Sequence, residues 1–116
     1  MRTRVSGARA GYARVAAALA AVVAAGCVDG APGAKSHSVS IQGFQYQPAA
    51  LTVAVGDTVV WINGDVVPHT ATAADRAWDS GSIAGKASGR VVMEKAGTHR
   101  YVCAFHPNMK AEVVAR

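Results

Sequence analysis

The chain has 116 residues, enough for one domain, and 51% of them are apolar. Its formal net charge of +5 is unevenly distributed: residues 1–26 carry four arginines and no acidic residue, whereas residues 27–116 carry eight Lys or Arg against seven Asp or Glu. The second part therefore lacks the basic cluster of a nucleic-acid-binding domain, and the sequence argues against that class of partner.

Residues 1–26 are predicted to be an export signal. The arginines are followed by an uncharged apolar run of eleven residues, 15–25. This run is too short to span a bilayer, which needs about 20 residues, but it suits the apolar region of a signal peptide. A buried Ala-rich helix is the alternative, and it is disfavoured because no polar residue alternates with the apolar ones. We expect an exported protein in the periplasm or another extracytoplasmic compartment.

The end of this segment, Ala24-Ala25-Gly26-Cys27, resembles the small residues before the lipid-modified cysteine of bacterial lipoproteins. The resemblance implies a mature protein that begins at Cys27 and is anchored to the membrane by lipid on that sulfur. Residues 27–37 are rich in Gly, Ala, Pro and polar residues and are predicted to form the flexible tether. The alternatives are an ordinary cleaved signal and a Cys27–Cys103 disulfide, which an exported setting would permit.

From residue 38 onward the pattern changes to short β segments separated by turn signals. Alternating or β-rich runs predict strands within residues 39–41, 51–55, 58–62, 69–73, 91–93, 98–103 and 110–115. Turns are indicated at 56–57, 63–65 and 96–97, and residues 74–88 are predicted to form a loop region around Trp78. Because no segment has a sustained helical period, residues 38–116 predict an all-β antiparallel Greek-key sandwich of seven to eight strands.

The segment between Cys103 and Met109 contains the residues best suited to chemistry. Cys103, His106 and Met109 place a thiolate, an imidazole and a thioether at every third position, where a strand end and a tight loop can bring them together. One Cys, two His and a weak axial Met are the ligands of a blue-copper electron-transfer site. The best candidate for the second histidine is His69, which follows Pro68.

Several segments of the chain resemble the cupredoxins, the type 1 blue copper proteins, and most closely their amicyanin and plastocyanin branch. The resemblance lies in Gly56-Asp57-Thr58-Val59-Val60-Trp61-Ile62-Asn63 with Val67-Pro68-His69, in Trp78-Asp79-Ser80-Gly81, and in residues 97–103 with His106, Pro107 and Met109. It covers roughly residues 38–116 and implies a cupredoxin-like sandwich. The chain departs from the family at Thr70, where an Asn commonly ties the two ligand loops together, and at Asn108, where amicyanin has a large apolar residue.

The resemblance implies one type 1 copper ion, cycling between Cu(I) and Cu(II), held by His69, Cys103, His106 and Met109. It implies a one-electron carrier that works between exported or membrane-bound redox partner proteins. We expect a monomer that is not an enzyme, since the sequence has no Ser-His-Asp arrangement or paired carboxylates. The alternative is a copper-binding lipoprotein for copper storage, delivery or tolerance without redox turnover. A zinc site is disfavoured because a thioether prefers copper, and a metal-free immunoglobulin-like module would leave this residue set unexplained.

Other residues of the same types are not predicted to be ligands. His37 lies in the predicted tether and His99 in a strand beside Arg100, so both are expected to be solvated. Met93 is assigned to the core or to a strand surface. Trp61 is predicted to be a core residue whose indole N–H requires a partner.

Overall fold

The computed structural model describes residues 33–116, and the regular secondary structure in this range consists of β-strands. The eight strands are β1 (Ser36–Gln42), β2 (Gln45–Gln47), β3 (Ala50–Val53), β4 (Thr58–Asn63), β5 (Thr72–Ala73), β6 (Ser88–Val92), β7 (Gly97–Val102) and β8 (Lys110–Ala115). The predicted all-β fold of seven to eight strands is confirmed. Within residues 33–116, no helix is long and apolar enough to cross a membrane. The predicted export signal, Cys27 and most of the tether lie outside the described residues.

The strands form two four-stranded sheets, in the orders β2-β1-β4-β6 and β3-β8-β7-β5. Two neighbouring pairs, β1 with β4 and β3 with β8, are parallel, and the other pairs are antiparallel. The expectation of an antiparallel sandwich is therefore wrong for these two pairs. The chain passes repeatedly from one sheet to the other, so a strand can return beside an earlier one in the same direction. Alternation of apolar residues identifies the buried face of a strand but not the direction of its neighbour.

The core lies between the two sheets and takes alternate residues from each long strand. Val39 and Ile41 of β1 are fully buried, and so is Trp61 of β4. The Trp61 Nε1–H donates a hydrogen bond of 3.2 Å to the hydroxyl of buried Tyr101, which supplies the predicted partner. Met93 is 1% exposed and belongs to the core. Close packing of this kind makes the framework stiff enough to hold loop side chains in place.

Strand β1 begins at Ser36, two residues before the predicted start of the domain. The Asp57 carboxylate explains this start because it accepts hydrogen bonds from the Lys35 backbone N–H (2.9 Å), the His37 Nε2–H (2.9 Å) and the Ala54 backbone N–H (3.0 Å). The bond from the Lys35 N–H is the largest cause that lowers the pKa of Asp57 from 3.8 to about 2. His37 is thus a half-buried strand residue with a fixed partner.

His99 is also more buried than its sequence suggests. The alternation of β7 places it on the same face as Tyr101, and it is 5% exposed. Its Nε2–H donates to the Lys95 carbonyl at 2.8 Å, and its ring lies beside Trp78 with centroids 6.2 Å apart. The expectation of a solvated side chain is wrong, because β7 turns the ring toward the core, where it lies beside Trp78.

The parallel pairing of β1 and β4 brings the ends of both strands to one edge of the sandwich. Residues paired along them run from Ser36 with Thr58 to Ile41 with Asn63. The turns that follow are therefore neighbours, and the Gly64 N–H donates to the Ile41 carbonyl at 2.7 Å. This edge carries the candidate site.

Candidate metal centre

The loop between β7 and β8 holds three of the predicted ligands. Cys103 follows the last residue of β7, and Met109 precedes the first residue of β8. The Cys103 N–H donates to the Met109 carbonyl at 3.2 Å, and the Met109 N–H donates to the His106 carbonyl at 2.9 Å. These backbone bonds keep the loop tight and the three residues close together.

His69 reaches the site from the loop between β4 and β5. Its N–H donates to the Ile83 carbonyl at 3.1 Å, and the Ile83 N–H donates back to the His69 carbonyl at 2.7 Å. The bridge to Ile83 is isolated, and regular strand structure begins only at Thr72, so the strand predicted over 69–73 is much shorter than expected. The two bonds to Ile83 fix the backbone that carries the imidazole.

The three strongest donor groups converge on one point. The Cys103 Sγ lies 3.8 Å from the His69 Nδ1 and 3.6 Å from the His106 Nδ1. One ligand atom from each residue lies within 4.8 Å of the others. His69 and Cys103 are fully buried, Met109 is 3% exposed, and His106 is partly exposed. Among the described residues Cys103 is a free thiol, so it is available as a ligand.

A carboxylate that the sequence analysis did not select sets the tautomer of His69. The Asp65 Oδ2 lies 2.8 Å from the His69 Nε2. A hydrogen bond from the Phe44 backbone N–H is the largest cause that lowers the pKa of Asp65, so this group is a carboxylate and can only accept. The Nε2 of His69 therefore carries a proton, and its Nδ1 faces Cys103. In the sequence, this contact could have been suspected because Asp65 lies four residues before a predicted ligand.

Thr70 connects the two ligand loops. Its Oγ1 accepts a hydrogen bond of 2.8 Å from the Ala104 N–H, and its own N–H donates to the Cys103 Sγ at 3.4 Å. Its hydroxyl also lies 2.9 Å from the Thr72 hydroxyl, which donates to Asp79 at 3.2 Å. Threonine thus ties the loops together here, the role that the resemblance assigns to an asparagine in other members.

Phe44 is a second residue of the site that the sequence analysis did not select. Its ring meets the His69 ring edge to face, with centroids 5.0 Å apart, and the His106 ring at 4.8 Å. It comes from the turn between β1 and β2, far from the ligands in sequence. In the sequence, Gly43 directly before Phe44 could have indicated a two-residue turn at this point.

The donor set identifies the metal that the site suits. Two imidazoles and a thiolate in close convergence, with a buried thioether in the same loop, are the ligands of type 1 copper. The soft sulfur donors also suit Cu(I), and burial of Cys103 and His69 limits access by water. The cofactor that these residues support is one type 1 copper ion.

Known proteins with similar sequences and folds support the same assignment. The chain is 32% identical over 81 residues to amicyanin from Paracoccus denitrificans, a match covering 66% of this chain and 62% of that protein. It is 27% identical over 81 residues to amicyanin from Paracoccus versutus, covering 66% and 61%. The chain thus matches a little over three fifths of the length of these curated relatives. Among solved structures, a purple cupredoxin from Nitrosopumilus maritimus aligns with a TM-score of 0.65 and 28% identity, over 69% of this chain and 99% of that one.

The family model described as a cupredoxin-like domain matches residues 14–115, which is most of the chain. The two-sheet fold and the converging His69, Cys103 and His106 agree with that match. The chain therefore belongs to the cupredoxin-like family.

Proposed function

We propose that this protein is a one-electron carrier whose copper ion is held by His69, Cys103, His106 and Met109, and that it is not an enzyme. The observation that carries the proposal is the convergence of the Cys103 sulfur with one ring nitrogen from each of His69 and His106, all within 4.8 Å of one another. When bound, copper supplies a one-electron couple between Cu(I) and Cu(II). The residues of the chain keep the donors in one arrangement, so that little rearrangement accompanies a change of charge.

The protein's own hydrogen bonds supply this rigidity. Asp65 fixes the orientation of His69, and the bridge to Ile83 fixes its backbone. Thr70 fixes the spacing of the two ligand loops and directs an N–H at the Cys103 sulfur. Hydrogen bonding around a ligand and exclusion of water are the means by which a protein tunes such a site.

His106 is the donor nearest to solvent and supports a route for the electron. It is partly exposed, whereas His69 and Cys103 are fully buried. Exposed aromatic side chains adjoin it: Phe44, which contacts its ring, is 47% exposed, and its chain neighbour Phe105 is 52% exposed. An apolar surface around a partly exposed ligand suits brief contact with redox partner proteins.

We also infer that the protein is exported and tethered to a membrane. Residues 1–26 would be the signal, Cys27 the lipidated residue and residues 27–37 the tether, whose last two residues belong to β1. More than one acyl chain gives stable attachment. The Cys27→Ala variant should lose membrane association or processing. Mass spectrometry that finds an unmodified mature N-terminus would contradict the anchor.

The optical and EPR spectra of the Cu(II) protein test the metal assignment. We expect an intense thiolate-to-copper absorption, and the Cys103→Ser variant should lose it. Met109→Leu should change the spectrum, whereas Met93→Leu is the matched control, because Met93 is also a buried methionine but lies in the core. A wild-type protein that binds Cu(II) with only weak absorption would contradict the type 1 site.

Copper retention distinguishes the carrier from a storage or delivery protein. A carrier should keep its copper in the presence of a competing chelator and should exchange electrons rapidly between its own oxidised and reduced forms. Rapid loss of Cu(I) to the chelator, together with slow self-exchange, would favour delivery.

A further inference from the structure

The turn between β1 and β2 places a large side chain in an unfavourable backbone conformation. Residues Gln42 and Gln45 are paired, so only Gly43 and Phe44 reverse the chain, and both have a φ of 60°. A two-residue turn of this kind needs positive φ at both positions. Glycine adopts it readily, but the Cβ of phenylalanine crowds the following carbonyl. Keeping phenylalanine here points to a role for its ring.

The Asp65 carboxylate holds this turn in place. Its Oδ1 accepts the Gly43 N–H at 2.8 Å, and its Oδ2 accepts the Phe44 N–H at 3.0 Å. The same Oδ2 accepts the Nε2–H of His69 at 2.8 Å. Asp65 is itself oriented by its backbone N–H, which donates to the Asn63 side chain at 2.9 Å. One carboxylate therefore joins the turn to a metal ligand.

The Phe44 ring lies against both histidines of the site. Its interplanar angles are 84° with His69 and 89° with His106, so the contacts are edge to face, an arrangement that aromatic rings favour. The ring also lines a surface recess of about 260 Å³ together with Tyr46 and Met109. Removal of the ring would join this recess to the space beside the two imidazoles.

We propose that the Asp65 carboxylate clamps the Gly43–Phe44 turn over the metal centre, so that the Phe44 ring braces both histidines and excludes small anions and reagents from the donors. The proposal deepens the proposed function and rests on it only for the identity of the metal. The proposed cover consists of protein groups alone, so it is tested in both the metal-free and the copper-loaded protein.

The first test measures alkylation of Cys103 by iodoacetamide in the metal-free full-length protein, with the modified peptide identified by mass spectrometry. Phe44→Asn removes the ring, and asparagine tolerates positive φ. We expect Cys103 to be alkylated about tenfold faster in this variant, because the structure around the thiol should open locally more often. Phe44→Tyr keeps the ring and should restore the wild-type rate. Val66→Ala is the matched surface control, since Val66 is 82% exposed beside Asp65. A wild-type rate in folded Phe44→Asn would overturn the proposal.

The second test asks whether Asp65 is the clamp. In Asp65→Asn one side-chain oxygen becomes an NH₂ group, which cannot accept a hydrogen bond. We expect faster hydrogen exchange at the Gly43 and Phe44 amides and faster alkylation of Cys103. Faster exchange of these amides with an unchanged alkylation rate would show that the turn does not cover the site and would overturn the proposal.

The third test adds azide to the Cu(II)-loaded proteins and follows the optical spectrum. The wild-type spectrum should not change, whereas Phe44→Asn should develop a new azide-to-copper absorption. If Phe44→Asn resists azide as the wild type does, the ring does not exclude anions. If wild-type Cu(II) protein lacks an intense thiolate absorption, the proposed function fails, and the alkylation rates of the metal-free variants still decide the proposal about Phe44.

Discussion

Asp57 and Asp65 accept matching sets of three hydrogen bonds at opposite ends of one strand. β4 begins directly after Asp57 and ends shortly before Asp65. Each carboxylate accepts two backbone N–H groups and the Nε2–H of one histidine, which is His37 for Asp57 and His69 for Asp65. The two ends therefore share a local arrangement, although only one of them has metal donors around it.

The difference lies in what faces the other nitrogen of each histidine. The Nδ1 of His69 lies 3.8 Å from the Cys103 sulfur, and its side chain is fully buried. The His37 side chain is 25% exposed, and His37 is not part of the group of converging donors. A carboxylate–histidine pair thus secures the start of a strand at one end and orients a ligand at the other. Its function depends on the residues that the fold brings to it.

Replacement of each of the two histidines by glutamine should give the largest difference between the two ends of β4. His69→Gln removes a proposed copper ligand, so we expect complete loss of the intense Cu(II) absorption. His37→Gln should retain the full absorption with only a small fall in the thermal midpoint. His99→Gln controls for the loss of a buried imidazole, because His99 is 5% exposed and lies in the core. A His69→Gln protein with undiminished absorption would contradict the ligand assignment.

Removal of copper should have the second largest effect. It should destabilise the end of β4 near the metal donors more than the end near Asp57. Free copper at about a thousand times its Kd adds about 4.1 kcal/mol to the free energy of unfolding. Chelation should therefore lower the thermal midpoint, and hydrogen exchange should quicken more at the amides of Gly43 and Phe44 than at those of Lys35 and Ala54. Equal quickening at both ends would show that the metal does not act locally.

Thr70→Val tests the metal end without touching either carboxylate. The Ala104 N–H would lose its acceptor, and a hydrogen bond of this kind contributes about 0.5–1.5 kcal/mol to stability. We expect a fall of this size in the free energy of unfolding, measured by urea denaturation of the metal-free protein, together with a shifted Cu(II) absorption. Thr52→Val, at an exposed position of β3, is the control and should change neither quantity.

Lowering the pH should test the stabilising contribution of Asp57, and we expect the smallest of the four effects here. The pKa of Asp57 is lowered from 3.8 to about 2 in the folded protein, so its stabilising contribution is complete above pH 3.8 and is lost as the pH falls toward about 2. Asp57→Asn should make stability less dependent on pH over this range in the metal-free protein. Glu94→Gln, at an exposed residue, is the control. An unchanged pH dependence in Asp57→Asn would contradict the assigned shift.

Much of the fold could be predicted from the pattern of residue types over short stretches of the sequence. Alternation identified the buried faces of the strands, as at Val39 and Ile41. The turn predicted at 63–65 was placed one residue too early, because Asn63 is the last residue of β4. Strand β2 was not predicted, since its three residues are too few to show a pattern. The parallel pairings and the burial of His99 were missed because both depend on neighbours that are distant in sequence.

The donor types, and the fact that three of them share one short loop, can be predicted from the sequence, because the spacing of Cys103, His106 and Met109 is a local property. The sequence could not show that Asp65 orients His69, that Thr70 joins the ligand loops or that Phe44 lies against both histidines. Hydrogen bonds and ring contacts act over a few ångströms, so they depend on how the chain folds. The parallel pairing of β1 with β4 brings the turns that carry Phe44 and Asp65 within that distance.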